Sequence, residues 1–154
     1  MIKINIILSN ITWKKYLKNP HIFLKKKVDL LNKKEKLFKK NTFICSILLS
    51  GPNEIKSLNK KFRKKNKPTD VLSFPFYNKH QLSYEVKKEK EVYLGDIIIN
   101  LNKVRSKNNK IKFLKELNKL WIHGLVHLFG YQHENDQDFY KMSNLEKKYL
   151  KYID

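Results

Sequence analysis

Residues 123–133 read HGLVHLFGYQH and hold three of the five histidines and two of the four glycines of this 154-residue chain. His123 and His127 stand four residues apart, so on an α-helix they lie about 40° apart around the axis and one turn along it. On the same wheel Leu114, Leu117, Trp121, Leu125 and Leu128 form an apolar stripe on roughly the opposite side. This predicts a helix over about 110–129 with one face in a core and two imidazoles turned toward a cleft. Gly130 falls where such a helix would end in the left-handed conformation that glycine takes without strain. That turn doubles the chain back and brings His133 to the pair. Three imidazole nitrogens suit Zn²⁺, one ion per chain, with a fourth position left open as in catalytic rather than structural sites.

This zincin-like HxxxHxxxxxH spacing is shared with metzincin proteases, except at one position. Those enzymes carry Glu directly after the first histidine as general base, and here that position is Gly124. The metal cradle is present and the peptidase base is missing.

Working outward, Ile2–Leu8 reads as a strand with one buried face, and Phe43–Ser50 as a buried strand. Asn19 and Pro20 open a helix in which Leu24, Val28, Leu31 and Phe38 recur at helical spacing. Gly51-Pro52 opens another, with Ile55, Leu58 and Phe62 on one face. "DVLSF" and Val92–Asn100 are the third and fourth strands. The polar stretch between them, "YNKHQLSYEVKKEKE", reads as a long connection or mobile loop, with His80 exposed in it. A final helix over about 136–149 takes Asn135 as its cap, with Asp138 near its positive end and Glu134 just ahead of it. The order β-α-β-α-β-β-α-α predicts an α+β fold: one domain over 1–154, with a small mixed sheet of about four strands and helices packed on it.

Composition narrows the function classes. A hydrophobic content of 41% with 12% aromatics is that of a globular chain. The longest apolar run, "FICSILL", is far too short for a bilayer span, so no membrane partner is expected. Nothing near the N-terminus reads as a secretory signal, and the lone Cys45 sits in an apolar run as a small buried hydrophobe; a cytoplasmic location is expected. The formal charge of +20 invites a nucleic-acid partner. Alanine is absent, however, and Lys, Asn and Ile are abundant, as in a protein from an A+T-rich genome. Charge is therefore supporting evidence only.

Against that bias the scarce residue types stand out. Arg63 and Arg105 are the only arginines among 34 basic residues, and Arg63 shares one segment with Pro68 and Pro75. A guanidinium can grip a phosphate bidentately and stabilise charge that grows in a transition state, which makes Arg63 the candidate catalytic residue. Lys61, Lys64 and Lys65 around it are candidate RNA-backbone contacts. Asp70 and Asp96 are candidates to orient the ligating imidazoles.

Three motifs in order, "LNKKFRKKNKPTDVLSFPF" (58–76), "YLGDIII" (93–99) and "HGLVHLFGYQH" (123–133), resemble those of the YbeY family of bacterial rRNA maturation endoribonucleases over essentially the whole chain. The resemblance implies a zinc-dependent, single-strand-specific endoribonuclease acting in 16S rRNA 3′-end maturation and ribosome quality control. It also implies single-stranded rRNA and the small ribosomal subunit as partners, His123, His127 and His133 as metal ligands, and Arg63 as functionally important. Gln132 and Asn66 stand where the family usually has Asp, so each keeps a hydrogen-bonding group and loses a charge. Two alternatives stay open: a metal-dependent hydrolase of another substrate, and a ribosome-assembly factor without activity, in which zinc staples the last helices. A fourth protein ligand such as Glu134 or Asp136 would favour the staple.

Overall fold

The computed structural model describes residues 1–154. In chain order the elements are β1 (Ile2–Leu8), α1 (Trp13–Tyr16), α2 (Pro20–Lys34), a 3₁₀ turn (Lys36–Lys39), β2 (Thr42–Ser50) and α3 (Pro52–Arg63). Then follow β3 (Val71–Pro75), α4 (Lys79–Lys88), β4 (Glu91–Asn100), a second 3₁₀ turn (Leu101–Lys103), α5 (Lys110–Leu128) and α6 (Asp136–Ile153). The four strands make one mixed sheet in the order β1-β2-β4-β3, with β1, β2 and β4 parallel and β3 antiparallel to β4. The fold is the expected single-domain α+β architecture.

The sheet has one heavily covered face. Leu24, Val28 and Leu31 of α2, Leu117, Trp121 and Leu125 of α5, and Met142, Tyr149 and Ile153 of α6 join the inward side chains of the strands in one core. Only Ile55, Leu72 and Ile98 form the buried cluster under α3 on the other face. Strand β4 changes phase between these duties. Its pairing with β2 shifts by one residue at Gly95, which sits at φ +128°, where an added Cβ would lie 2.1 Å from the Phe74 carbonyl oxygen. The extra residue of this bulge lets Val92 and Leu94 before it, and Ile97 and Ile99 after it, all face the main core.

Three expectations need correction. The stretch 77–91 is not a loop: it contains α4, started by a capping box in which Asn78 accepts from the Gln81 N–H and Gln81 accepts from the Asn78 N–H. Its apolar contacts are few, with Leu82 buried and Val86 partly so, which is why periodicity did not reveal it; His80 is exposed on it. Phe38 does not continue α2. Glu35 ends that helix in extended backbone, and Phe38 enters the core from the 3₁₀ turn that follows. Finally, α6 runs to Ile153, because Tyr149 and Ile153 bury themselves one turn apart.

Candidate metal centre

The apolar stripe of α5 locks its orientation: Leu117, Trp121, Leu125 and Leu128 are buried, while His123 and His127 on the other side are only half-buried. Gly124 faces the sheet, where an added Cβ would lie 2.6 Å from Cγ2 of Ile97. Its missing side chain therefore serves close helix–sheet approach, and no residue at 124 points into the cleft. Past Phe129 the helix ends in a Schellman turn: the Gly130 N–H donates to the His127 carbonyl (2.9 Å) and the Tyr131 N–H to the Val126 carbonyl (3.4 Å). Gly130 has φ +83°, the left-handed conformation expected of it. The reversal puts the His133 ring 5.0 Å from His127 and 5.8 Å from His123, centroid to centroid.

Hydrogen bonds then fix which nitrogens converge. His123 Nδ1 lies 2.7 Å from Glu146 Oε1, and His127 Nδ1 lies 2.8 Å from the Tyr131 carbonyl oxygen. A carbonyl, like an ionised carboxylate, only accepts, so both Nδ1 atoms carry the proton and donate it. In the neutral rings the Nε2 atoms are then the ones that carry lone pairs, and they lie 3.1 Å apart. Two such nitrogens at that distance share either a proton or a metal ion. A tetrahedral ion with metal–nitrogen bonds of about 2.0–2.1 Å would space its ligands by about 3.3 Å. His123, His127 and His133 each offer a ligand atom within 4.8 Å of the others. This donor set fits a divalent first-row metal.

Electrostatics bear on the charge of His127. Burial, then the neighbouring His123, and more weakly His133 and Arg63, outweigh the Tyr131 carbonyl and push the His127 pKa down to about 4. His127 is therefore neutral and able to ligate at neutral pH. No carboxylate joins the three histidines as a fourth ligand; Glu134 and Asp136 are exposed and outside the group.

The histidines line a cleft of about 610 Å³ bounded by α5, α6 and β3. Arg63, at the end of α3, lines it too, and its Nη2 donates to the Ser73 carbonyl on β3 (3.2 Å). Lys61 and Lys64 do not line it. They border a separate shallow depression together with Asn66, and Lys65 lies in neither. Asp70 and Asp96 do not touch the histidines. Asp70 lies on the cleft wall but accepts from Thr69 Oγ1 and the Val71 N–H, and Asp96 accepts from the Tyr93 hydroxyl (2.6 Å). Asp70 serves the turn into β3 and Asp96 is tied to Tyr93 within β4; the carboxylate that orients an imidazole is Glu146 of α6. Gln132 is exposed. Sequence reasoning also missed Lys103, Arg105, Lys119 and Lys147, which face the same cleft. For Arg105 a signal existed, since it is the second of two arginines in a lysine-dominated chain.

Comparison with known proteins agrees with this geometry. A relative from Pelagibacter ubique described as "Endoribonuclease YbeY" is 39% identical over 155 residues, covering 99% of this chain and 97% of its own. A second so described, from Buchnera aphidicola, is 38% identical over 116 residues, covering 73% of this chain and 69% of its own. A solution structure from Thermotoga maritima matches with a TM-score of 0.58 and 30% identity over 99% of this chain and 89% of that one. The sequence profile described as "Endoribonuclease YbeY" matches residues 8–154, and the chain belongs to that endoribonuclease family.

Proposed function

We propose that residues 1–154 form a single zinc-dependent, single-strand-specific endoribonuclease domain. It acts in the cytoplasm on the small ribosomal subunit, in 16S rRNA 3′-end maturation and ribosome quality control. The observation that carries this reading is the convergence of the His123 and His127 Nε2 atoms, 3.1 Å apart, joined by His133 in the cleft that Arg63 lines. Zinc held by the three imidazoles would supply Lewis acidity toward a phosphoryl oxygen. Glu146 and the Tyr131 carbonyl hold two of those imidazoles in the ligating tautomer. Arg63 spends one N–H on Ser73, which fixes the guanidinium on the cleft wall and leaves its other donors for the scissile phosphate.

Two observations weigh against the alternatives. A peptidase of the metzincin arrangement would need its base at position 124, and that position faces Ile97. A structural staple would need a fourth ligand, and the histidines have none among the nearby carboxylates. The experiment measures zinc content and single-turnover cleavage of a single-stranded rRNA precursor by the same protein. The expected result is about one zinc per chain, lost in His127→Ala. Arg63→Lys should cut about 10–1000-fold more slowly with nearly unchanged RNA affinity. Wild-type cleavage by Arg63→Lys once bound, or full zinc content in His127→Ala, would overturn the reading.

A further inference from the structure

The cleft is longer than a metal site requires. On α5 its wall runs from Glu116 through Lys119, Leu120 and His123 to His127, a rise of about 16 Å. The histidines and Arg63 occupy one end, beside Ser73 and Ile97, which pair across β3 and β4. Beyond Ile97, β4 continues on the order of 10 Å to Asn100, and the chain then turns through Leu101–Lys103 into Arg105. Lys103 and Arg105 therefore line the cleft at its other end.

The loop that carries Arg105 is anchored. Val104 is 1% exposed in the core, the Lys107 ammonium donates to the Asn102 and Val104 carbonyls, and the Asn109 N–H donates to the Ser106 carbonyl. Ser106 takes φ +60°, so the chain reverses directly after Arg105. The Arg105 guanidinium itself is exposed and has no carboxylate partner, whereas Lys119 in the same cleft is neutralised by Glu116 at 2.7 Å. An unpaired guanidinium on an anchored loop, in a cleft that already holds Arg63, fits a second phosphate of one extended chain.

We propose that Arg105, assisted by Lys103, forms a second phosphate subsite that grips the bound single strand one or more nucleotides from the scissile phosphodiester. This rests on the endoribonuclease reading for the identity of the strand. Arg105 is a binding residue for the strand away from the reacting centre: it holds the chain in the cleft and makes binding, and so cleavage below saturation, depend on substrate length.

The test uses the full-length protein and a single-stranded oligoribonucleotide of about 12 nucleotides, with binding read by fluorescence anisotropy across a salt series. Arg105→Met should weaken binding roughly 10-fold and lower the magnitude of the log–log salt slope by about 0.7, the contribution of one phosphate on a single strand. Arg105→Lys should restore the slope and only part of the affinity. Lys151→Met, which removes the same charge from an exposed site outside the cleft, should change neither. In single-turnover cleavage Arg105→Met should raise the half-saturating concentration with the saturating rate unchanged. That deficit should vanish as the strand is trimmed from one end. If Arg105→Met and Lys151→Met behave alike at every length, the subsite is wrong even where wild type cleaves RNA. If wild type shows the Arg105-dependent slope but cleaves nothing, the subsite stands and the nuclease reading fails.

Discussion

Two imidazoles of the metal centre are held through Nδ1, but by acceptors of unequal strength. His127 leans on a backbone carbonyl of its own helix-ending turn, and His123 on the carboxylate of Glu146. Only the second can be altered by side-chain substitution. Glu146→Gln keeps the shape but can present its amide nitrogen instead of an oxygen, and it removes a negative charge. It should weaken zinc binding about 10–100-fold without unfolding the protein, measured by competition with a chromophoric chelator. An unchanged affinity would mean that His123 is oriented by packing alone. The convergence of the three histidines was legible in the sequence because helix geometry and a helix-ending glycine place them locally. Glu146 was not: it lies 23 residues away on a helix whose angle to α5 is set by core packing. Asp70 and Asp96 lay in the right motifs but found partners within three residues: Asp70 at its turn, as short acidic side chains commonly do, and Asp96 through the Tyr93 hydroxyl within β4.

Among the elements, the contact of α5 with β4 decides where the cleft lies. Gly124 lets the helix settle on Ile97, and the bulge at Gly95 turns Ile97 toward it. Gly124→Ala would gain up to about 1 kcal/mol in helix propensity, yet its methyl group would meet Cγ2 of a stiff, β-branched side chain. The expected net result is a loss of about 1–3 kcal/mol in urea unfolding, and the double variant with Ile97→Ala should lose less than the sum of the two single variants. A Gly124→Ala protein as stable as wild type would show that the helix can lift without cost. Strands and long helices were readable here because each buries a periodic face. The helix α4 was not, since two apolar residues and a capping box hold it; its polar surface resembles that of a loop. The break after α2 was equally hidden, because Phe38 remains in phase with the helix although it is delivered by a separate turn.

At the scale of the whole molecule, one buried carboxylate ties distant parts together. Glu35 ends α2, is 6% exposed and pairs with Lys148 of α6 at 2.6 Å. Burial pushes its pKa up, but the Lys148 ammonium and the Leu37 and Lys36 backbone groups more than offset this and hold it below the ordinary carboxylate value. A depressed carboxylate contributes stability that is present above its unfolded pKa and is lost as the pH falls through its folded one. Wild type should therefore lose thermal stability between about pH 6 and about pH 3 more steeply than Glu35→Gln does. Lys148→Met should cost about 1–3 kcal/mol at neutral pH by stranding the carboxylate. Parallel melting curves for wild type and Glu35→Gln across that range would contradict this account.

The hydrogen bond from Arg63 to Ser73 has a consequence beyond holding the guanidinium on the cleft wall. β3 is the outermost strand of the sheet on the cleft side, and the free backbone groups of such a border are a template on which a foreign extended segment can zip. Here one of those rungs is already taken by a guanidinium, and Pro75 at the end of the same strand offers no N–H at all. A polypeptide entering the cleft would have to displace Arg63 to add itself to the sheet, whereas a polyanion meets that same group as a welcome. One contact thus screens visitors by their backbone chemistry before any reaction begins.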